Sequence, residues 1–317
     1  MTREEFLAFS RSTSGQEYRE RVTGTLSEFY SASPERRMPV IWVEAGGCGG
    51  NTISLLNAMG PNFQQVMEGL IDLRFHNTLM WPEDDAALEE LDRTVRGSPG
   101  FILMVEGAVS SRDQGRLCLV AAREDRMISG SALIRRLAPR ASYIVAVGDC
   151  ACFGGPTAAR PNPSGSVGVG RFLRRKVINV SGCPAHPDWM VGTLAHLLLF
   201  GEPEMDEHGR PTLFYGETVH DRCTRRSFFD QRVFARKLGD PECMFELGCK
   251  GPITFADCPV RQWNCYQNWP VKGNTPCIGC TEPTFPDGME PFFKPPFELE
   301  DRDGAPGAGR PRGGRRR

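Results

Sequence analysis

The chain has 317 residues, of which 40% are hydrophobic and 24% charged, and its formal net charge is -1. The length allows one or two folded domains with a sizeable core, and the near-zero charge gives no argument for a nucleic-acid partner. No run of about 18 apolar residues is present, so we expect no transmembrane segment. The first residues lack a basic region followed by an apolar stretch, and we therefore expect a cytoplasmic protein.

Short apolar, β-branched runs alternate with helical patterns after residues 1–37, which we interpret as an N-terminal extension. The runs that predict buried strands are 40–43, 101–105, 143–147 and 177–180. The stretches that predict helices are 52–59, 62–70, 83–95, 128–137 and 188–200. This alternation predicts an α/β fold over residues 38–200, a flavodoxin-like doubly wound parallel sheet, because parallel neighbours need crossover connections.

Cysteines follow three of the predicted strands. Cys48, Cys150 and Cys183 each come shortly after a strand ends, and in an open α/β sheet such loops emerge at the edge where ligands bind. We therefore expect three thiols that are distant in sequence to converge on one point. The glycines at 46–50 would let backbone N–H groups approach a bound anionic group. A phosphate loop is the alternative for 46–50, but the segment has no lysine and does not match the P-loop pattern.

The last third of the chain differs from the rest, because prolines multiply and apolar periodicity fades after residue 200. This region, 201–290, contains seven further residues of ligand type: His220, Cys223, Cys243, Cys249, Cys258, Cys277 and Cys280. A segment with so little core needs cross-links, and in a reducing compartment bound metal supplies them. We predict a loop-rich, metal-binding C-terminal domain. Residues 291–317 are rich in Gly, Pro and Arg, and this composition is typical of a disordered basic tail.

The tight turn Cys277-Ile278-Gly279-Cys280 directs two thiols at one centre. Pairs with this spacing bind either iron–sulfur clusters or zinc, and the spacing alone leaves both open. A zinc-stabilised α/β binding module without a redox role is therefore the alternative hypothesis. A brown protein that absorbs near ~400 nm would indicate iron–sulfur centres, whereas a zinc protein would be colourless.

Several motifs resemble those of the small subunit of nickel–iron hydrogenases of the uptake type. They are Val105-Glu106-Gly107-Ala108, VGDCACFGG at 147–155, Gly182-Cys183-Pro184, Gly248-Cys249-Lys250-Gly251-Pro252, NWPV at 268–271 and PCIGCTEP at 276–283. The resemblance covers residues 39–287. It implies an iron–sulfur electron-transfer subunit that relays electrons from H2 oxidation, on the nickel–iron site of a separate large subunit, to an external electron acceptor. We also expect such heterodimers to associate into a higher oligomer.

The resemblance further implies which residues bind each of three clusters. Cys48, Cys150 and Cys183 would bind the proximal cluster, nearest the nickel–iron site. Cys258, Cys277 and Cys280 would bind a medial three-iron, four-sulfur cluster (3Fe-4S). The distal four-iron cluster (4Fe-4S) would be bound by His220, Cys223, Cys243 and Cys249.

The proximal group departs from the family pattern. Most members place a second cysteine three residues after the first, whereas this chain has Asn51 there. Because an amide is a poor iron ligand, three outcomes stay open, in this order: a three-iron cluster on three cysteines, a four-iron cluster with Asp149 or water at the open iron, or recruitment of Cys152. We expect Asn51 itself to cap the helix that follows.

Overall fold

The structure is a computed structural model that describes residues 2–5, 37–82, 84–124 and 126–299. The predicted N-terminal extension lies almost entirely outside these residues, and so does the predicted tail beyond residue 299. Within the described ranges, no helix has the length and apolar character needed to cross a membrane.

A parallel sheet of five strands organises the first two-thirds of the chain. In chain order the strands are β1 Pro39–Glu44, β2 Asp72–His76, β3 Ile102–Glu106, β4 Val109–Ser110, β5 Leu119–Arg123, β6 Arg126–Ser129, β7 Tyr143–Val147, β8 Ser166–Val167 and β9 Ile178–Val180. The sheet has the order β2-β1-β3-β7-β9, and all of its neighbours are parallel. Counting only these five, the order is 2-1-3-4-5, that of flavodoxin-like sheets. The predicted fold class is confirmed.

All four predicted strands are present, but the sequence did not reveal β2. This strand lies at one edge of the sheet and contains Asp72 and Arg74, and only Phe75 and His76 at its end are buried. An edge strand has one neighbour and a partly exposed face, so it needs no continuous apolar run. The remaining strands form two short antiparallel pairs, β4 with β8 and β5 with β6.

The helices cover both faces of the sheet. In chain order they are α1 Gly50–Leu56, α2 Phe63–Gln65 (continued by a π-turn, Val66–Leu70), α3 Asp84–Gly97, α4 Gly130–Leu137, α5 Asp149–Phe153, α6 Gly155–Ala158, α7 Val169–Leu173, α8 Pro187–Phe200, α9 Thr212–Tyr215, α10 Arg226–Asp230 and α11 Cys258–Arg261. The five predicted helices are α1 to α4 and α8, with ends that differ by a few residues. The short helices after residue 148 have too few turns to show a period.

Two apolar layers sandwich the sheet. Val40 and Trp42 of β1 face one layer, and Ile41 and Val43 face the other, as the two-residue period of a strand requires. The first layer includes α8 and continues into the C-terminal region, where cysteines of the predicted metal sites pack against it. The C-terminal region therefore shares a core with the sheet.

A buried arginine joins the C-terminal region to the sheet. Arg210 is 2% exposed, and its guanidinium donates to the carboxylates of Asp206 at 2.7 Å and Glu282 at 3.1 Å and to the Thr281 carbonyl at 3.1 Å. The Gly209 carbonyl next to Arg210 accepts from the Asn179 backbone N–H of β9 at 2.8 Å. Since Thr281 directly follows Cys280, this network fixes the predicted medial cysteines relative to the sheet.

The end of the described chain packs on loops that contain predicted ligands. We call residues 289–297 the C-terminal strap. The buried Lys250 ammonium donates to the carbonyls of Pro291 and Lys294 at 3.2 and 2.8 Å, and the Phe297 ring lies 5.1 Å from that of Phe245. The strap thus lies against the segments next to Cys243 and Cys249.

Candidate metal centres

The proximal group, Cys48, Cys150 and Cys183, lies at the carboxyl edge of the sheet. Cys48 follows β1, Cys150 lies in α5 directly after β7, and Cys183 follows β9. Burial raises the pKa of Cys183 to about 12, and interaction with the thiols of Cys280, Cys150 and Cys48 adds to this. The fold thus brings the three thiols into one neighbourhood, as expected for loops at the ends of parallel strands.

The loop of Cys48 is fixed by Glu106 rather than by an asparagine cap. The prediction that Asn51 caps the helix is wrong, since α1 begins at Gly50 without a side-chain cap. Instead, the Glu106 carboxylate accepts from the backbone N–H groups of Asn51 and Thr52 at 2.8 and 3.0 Å. A carboxylate from the adjacent strand end satisfies the free donors of the helix better than an amide within it.

Asn51 instead ties the Cys48 loop to the Cys183 loop. Its Oδ1 accepts from the Ala185 backbone N–H at 2.8 Å, and its Nδ2 donates to Glu106 Oε1 at 3.1 Å. A Cβ at Gly148, where φ is 82°, would lie only 2.2 Å from Asn51 Nδ2. Position 148 therefore requires glycine. Both atoms of the Asn51 amide already form hydrogen bonds within the protein.

Asp149 is a buried carboxylate without a hydrogen-bond partner. It is 1% exposed, and neither of its oxygens has a partner among the described residues. Burial raises its pKa to about 8, the carboxylate of Glu282 adds to the rise and Arg210 opposes it. Buried polar groups are nearly always bonded, so this carboxylate has free coordinating capacity beside Cys150.

Cys152 points away from the proximal group. Its thiol donates to the Ala146 carbonyl at 3.4 Å, and its side chain packs in the apolar layer on the other face of the sheet. Of the three outcomes considered for the proximal site, recruitment of Cys152 has the least support.

The medial group, Cys258, Cys277 and Cys280, lines a cavity of about 440 Å³ together with Trp263 and Trp269. Cys258 begins α11, and the other two thiols flank a turn at Gly279. Burial raises the pKa of all three thiols, to about 11 for Cys280. Cys183 of the proximal group lines the same cavity, and an apolar cavity with these four cysteines on its walls fits a soft metal centre larger than a single ion.

The distal group combines one imidazole with Cys223, Cys243 and Cys249. His220 is 8% exposed, its Nε2 has no partner in the described part of the chain, and its ring contacts Phe229 at 4.4 Å. Burial lowers its pKa, so the ring is neutral and has a free lone pair. Burial raises the pKa of Cys243 to about 11, and the thiols of Cys249 and Cys223 contribute. The Cys223 N–H donates to the His220 carbonyl at 3.2 Å, so all four residues belong to one neighbourhood.

Two contacts link the three groups in series. Cys183 lines the same cavity as Cys258, Cys277 and Cys280, which joins the proximal and medial groups. The Cys277 N–H donates to Cys249 Sγ at 3.4 Å, which joins the medial and distal groups. The order along this line is proximal, medial, distal.

The arrangement of thiols does not suit zinc. All twelve cysteines are free thiols, and no set of three or more His, Cys, Asp and Glu side chains within the described ranges is arranged to bind a single metal ion. In an iron–sulfur cluster each cysteine binds a different iron, so the thiols stand farther apart than around one zinc ion. The three groups therefore fit clusters better than the alternative of a zinc-stabilised module.

Two residues that contact these thiols were missed by sequence reasoning. Thr157 lowers the pKa of Cys150, which burial raises, and the backbone N–H of Arg225 donates to Cys223 Sγ at 3.4 Å. Arg225 could have been identified from the sequence, because it is a cation two residues after the candidate ligand Cys223. Nothing in the sequence pattern marks Thr157.

Two family models match the chain, and together they cover most of it. Residues 215–293 match the family that describes the C-terminal part of NiFe/NiFeSe hydrogenase small subunits. Residues 48–197 match the family described as NADH ubiquinone oxidoreductase, 20 Kd subunit.

Curated proteins and solved structures agree with these matches. The periplasmic NiFeSe hydrogenase small subunit of Desulfomicrobium baculatum is 43% identical over 81% of this chain and 87% of its own length. The periplasmic NiFe hydrogenase small subunit 1 of Nitratidesulfovibrio vulgaris is 40% identical over 82% and 83%. A structure of the Desulfomicrobium baculatum NiFeSe hydrogenase superposes with a TM-score of 0.78 at 42% identity, covering 82% of this chain and 99% of that one.

These relatives overturn one expectation. The prediction of a cytoplasmic location is wrong, because relatives at 43%, 38% and 40% identity are periplasmic by name. That prediction depended on the composition of the first residues, most of which lie outside the described part of the chain.

Proposed function

Because the chain belongs to the family of nickel–iron hydrogenase small subunits, we propose that it conducts electrons from H2 oxidation on a nickel–iron large subunit to an external acceptor. The observation that supports this most strongly is the serial contact of the three thiol groups, since an electron relay needs neighbouring carriers in a line. The iron–sulfur clusters, when bound, supply the one-electron carriers. Bond breaking belongs to the large subunit.

We assign the ligands by group, as the resemblance implied. Cys258, Cys277 and Cys280 are the proposed ligands of a medial three-iron, four-sulfur cluster, and the apolar cavity that they line supports this assignment. His220, Cys223, Cys243 and Cys249 are the proposed ligands of a distal four-iron cluster. The unpartnered Nε2 of His220 supports its role as a ligand. The electron acceptor stays unspecified, and association of heterodimers into a higher oligomer stays a prediction.

The chain also positions hydrogen-bond donors at the thiol sulfurs. The Cys277 N–H donates to Cys249 Sγ and the Arg225 N–H donates to Cys223 Sγ, both at 3.4 Å. Donors at sulfur stabilise negative charge there and raise the reduction potential of a bound cluster. The chain's contribution is thus placement and tuning of the carriers, together with exclusion of water from them.

Loss of one thiol in the middle of the line tests the relay. In the complex with the large subunit, Cys280→Ser should remove the three-iron EPR signal and abolish H2-dependent dye reduction. Exchange of H2 with solvent protons should persist, because it needs no electron export. Cys118→Ser, at a half-buried thiol outside the three groups, should change none of these. Full dye reduction in Cys280→Ser, or zinc in place of iron in the wild type, would refute the proposed function.

We propose Asp149 as the ligand of the fourth iron of the proximal cluster. Its carboxylate is buried, unbonded and adjacent to Cys150, whereas the Asn51 amide is engaged by Ala185 and Glu106. A carboxylate oxygen can complete the coordination of a fourth iron where an amide cannot.

Asp149→Asn provides the test of this assignment. It should convert the proximal cluster to a three-iron form, so that the oxidised enzyme shows two three-iron EPR signals in place of one. Asp113→Asn, at an exposed loop carboxylate, should leave one signal. Two three-iron signals already present in the wild-type complex would show that Asp149 is not a ligand.

A further inference from the structure

Three arginines surround Cys223 in the distal loop, and two of them are neutralised by carboxylates. Arg222 pairs with Glu217 at 2.7 Å. Arg226 pairs with Asp221 at 3.3 Å and with Asp230 at 2.9 Å. Carboxylates therefore offset part of the charge of these two cations.

Arg225 differs from both neighbours, because every acceptor of its side chain in the described part of the chain is neutral. Its Nη1 donates to the carbonyl oxygens of Asp240 and Glu242, both at 2.9 Å. Its Nη2 donates to the amide oxygen of Asn274. Three fixed acceptors hold the half-buried guanidinium in one orientation without cancelling its charge.

The uncancelled charge lies close to the distal thiols. The Arg225 backbone N–H donates to Cys223 Sγ at 3.4 Å, and the carbonyl of Glu242 immediately precedes Cys243. The Arg225 side chain thus lies beside the backbone of Cys243, and its own N–H contacts Cys223.

We propose that Arg225 is the fixed counter-cation of the distal iron–sulfur cluster and raises its reduction potential. The inference depends on the proposed function, which places a cluster among His220 and the three distal cysteines. One electron added to this site increases its negative charge by one unit, and no bond forms or breaks. A cation held nearby stabilises that added charge, and because it is half-buried, salt screens the interaction only partly. The residue therefore directs electrons towards the distal end of the relay.

Redox-poised, low-temperature EPR of the complete complex measures the effect directly. Arg225→Gln should make reduction of the distal cluster about tenfold less favourable, which for a one-electron couple is a potential about 59 mV lower. Arg225→Lys keeps the charge and should stay close to the wild type. The medial three-iron signal should titrate at an unchanged potential in both variants.

Arg222→Gln is the matched control, because it removes a cation next to Cys223 whose side chain is 56% exposed, where water and salt screen its charge. Its distal potential should move much less than that of Arg225→Gln. Equal shifts in the two variants would indicate a general surface-charge effect and would overturn the proposal.

Asn274→Asp distinguishes the effect of the Arg225 charge from structural damage. It presents a carboxylate to the Arg225 guanidinium with almost no change of shape. It should lower the distal potential in the same direction as Arg225→Gln. If Arg225→Gln loses the distal cluster, a lowered potential in Asn274→Asp still supports the proposal, and an unchanged one overturns it. An unchanged potential in an intact Arg225→Gln complex also overturns it. Absence of a distal cluster from the wild type would instead refute the proposed function.

Discussion

His76 is a fully buried histidine at the carboxyl end of β2. Its Nδ1 accepts from the backbone N–H groups of Thr78 and Leu79 at 3.2 Å each, and its Nε2 lies 3.2 Å from Thr52 Oγ1. Burial lowers its pKa to about 4, although the carboxylate of Glu44 opposes the shift. The ring is therefore neutral in the folded protein, and its two acceptor contacts require that state.

Protonation of His76 should destabilise the fold in acid. The folded pKa of about 4 lies below the ordinary value of 6.5, so the stabilisation is complete above pH 6.5 and is lost as the pH falls through 4. The shift corresponds to about 3 kcal/mol. Between pH 7 and pH 4, the free energy of unfolding of the wild type should fall by more than that of His76→Asn, which keeps an acceptor but does not titrate. Parallel pH profiles from denaturant titrations would contradict this.

Glu106 connects two elements, because it ends β3 and caps the first turn of α1. Besides the two backbone donors described above, it accepts from the Thr52 hydroxyl at 2.7 Å and from Asn51 Nδ2 at 3.1 Å. The cap determines where α1 begins and therefore fixes the glycine-rich loop that places Cys48. A residue that touches no predicted ligand thus controls the position of one.

Glu106→Gln should destabilise the complex by about 1–3 kcal/mol, because the NH2 that replaces one carboxylate oxygen cannot accept and leaves buried donors unpaired. The proximal cluster should also be lost more readily, since the Cys48 loop is loosened. Thermal unfolding and iron content check these two effects. Glu89→Gln, the same change at an exposed position of α3, serves as the control. A melting temperature and iron content equal to those of Glu89→Gln would argue against the capping role.

At the scale of the whole molecule, the C-terminal region is joined to the sheet by the Arg210 network and by two hydroxyls. Tyr215 donates to the Ser181 carbonyl at 2.7 Å, and Ser181 donates to the Thr281 carbonyl at 2.9 Å. These contacts lie between the strand end that precedes Cys183 and the turn that contains Cys280. The spacing between the proximal and medial groups is therefore set by this junction.

Arg210→Met should be strongly destabilising. It leaves the carboxylates of Asp206 and Glu282 without their cation, and breaking a buried pair in this way costs about 3–5 kcal/mol. Arg222→Met removes a comparable but exposed pair, with both side chains 56% exposed, and should cost less than about 1 kcal/mol. Thermal unfolding of the two complexes measures the difference. Equal losses of stability would mean that the Arg210 network does not hold the junction together.

The central parts of the fold and of the candidate sites could be read from the sequence because their signals are local. Buried strands such as β3 are continuous apolar runs, and cysteines directly after them must appear at one sheet edge. The edge strand β2 and the cap at α1 could not be read, since each depends on a neighbour more than 30 residues away along the chain. The sequence shows Arg225 only as a cation near a candidate ligand cysteine. Its lack of a carboxylate partner appears only in three dimensions.

The C-terminal strap has a consequence for how the molecule is assembled. Its contacts with Lys250 and Phe245 place it against the loops that present Cys243 and Cys249, so the cluster proposed for that site would enter before residues 289–297 close over these loops. Closure of the strap would then be the last step in building the proposed distal site.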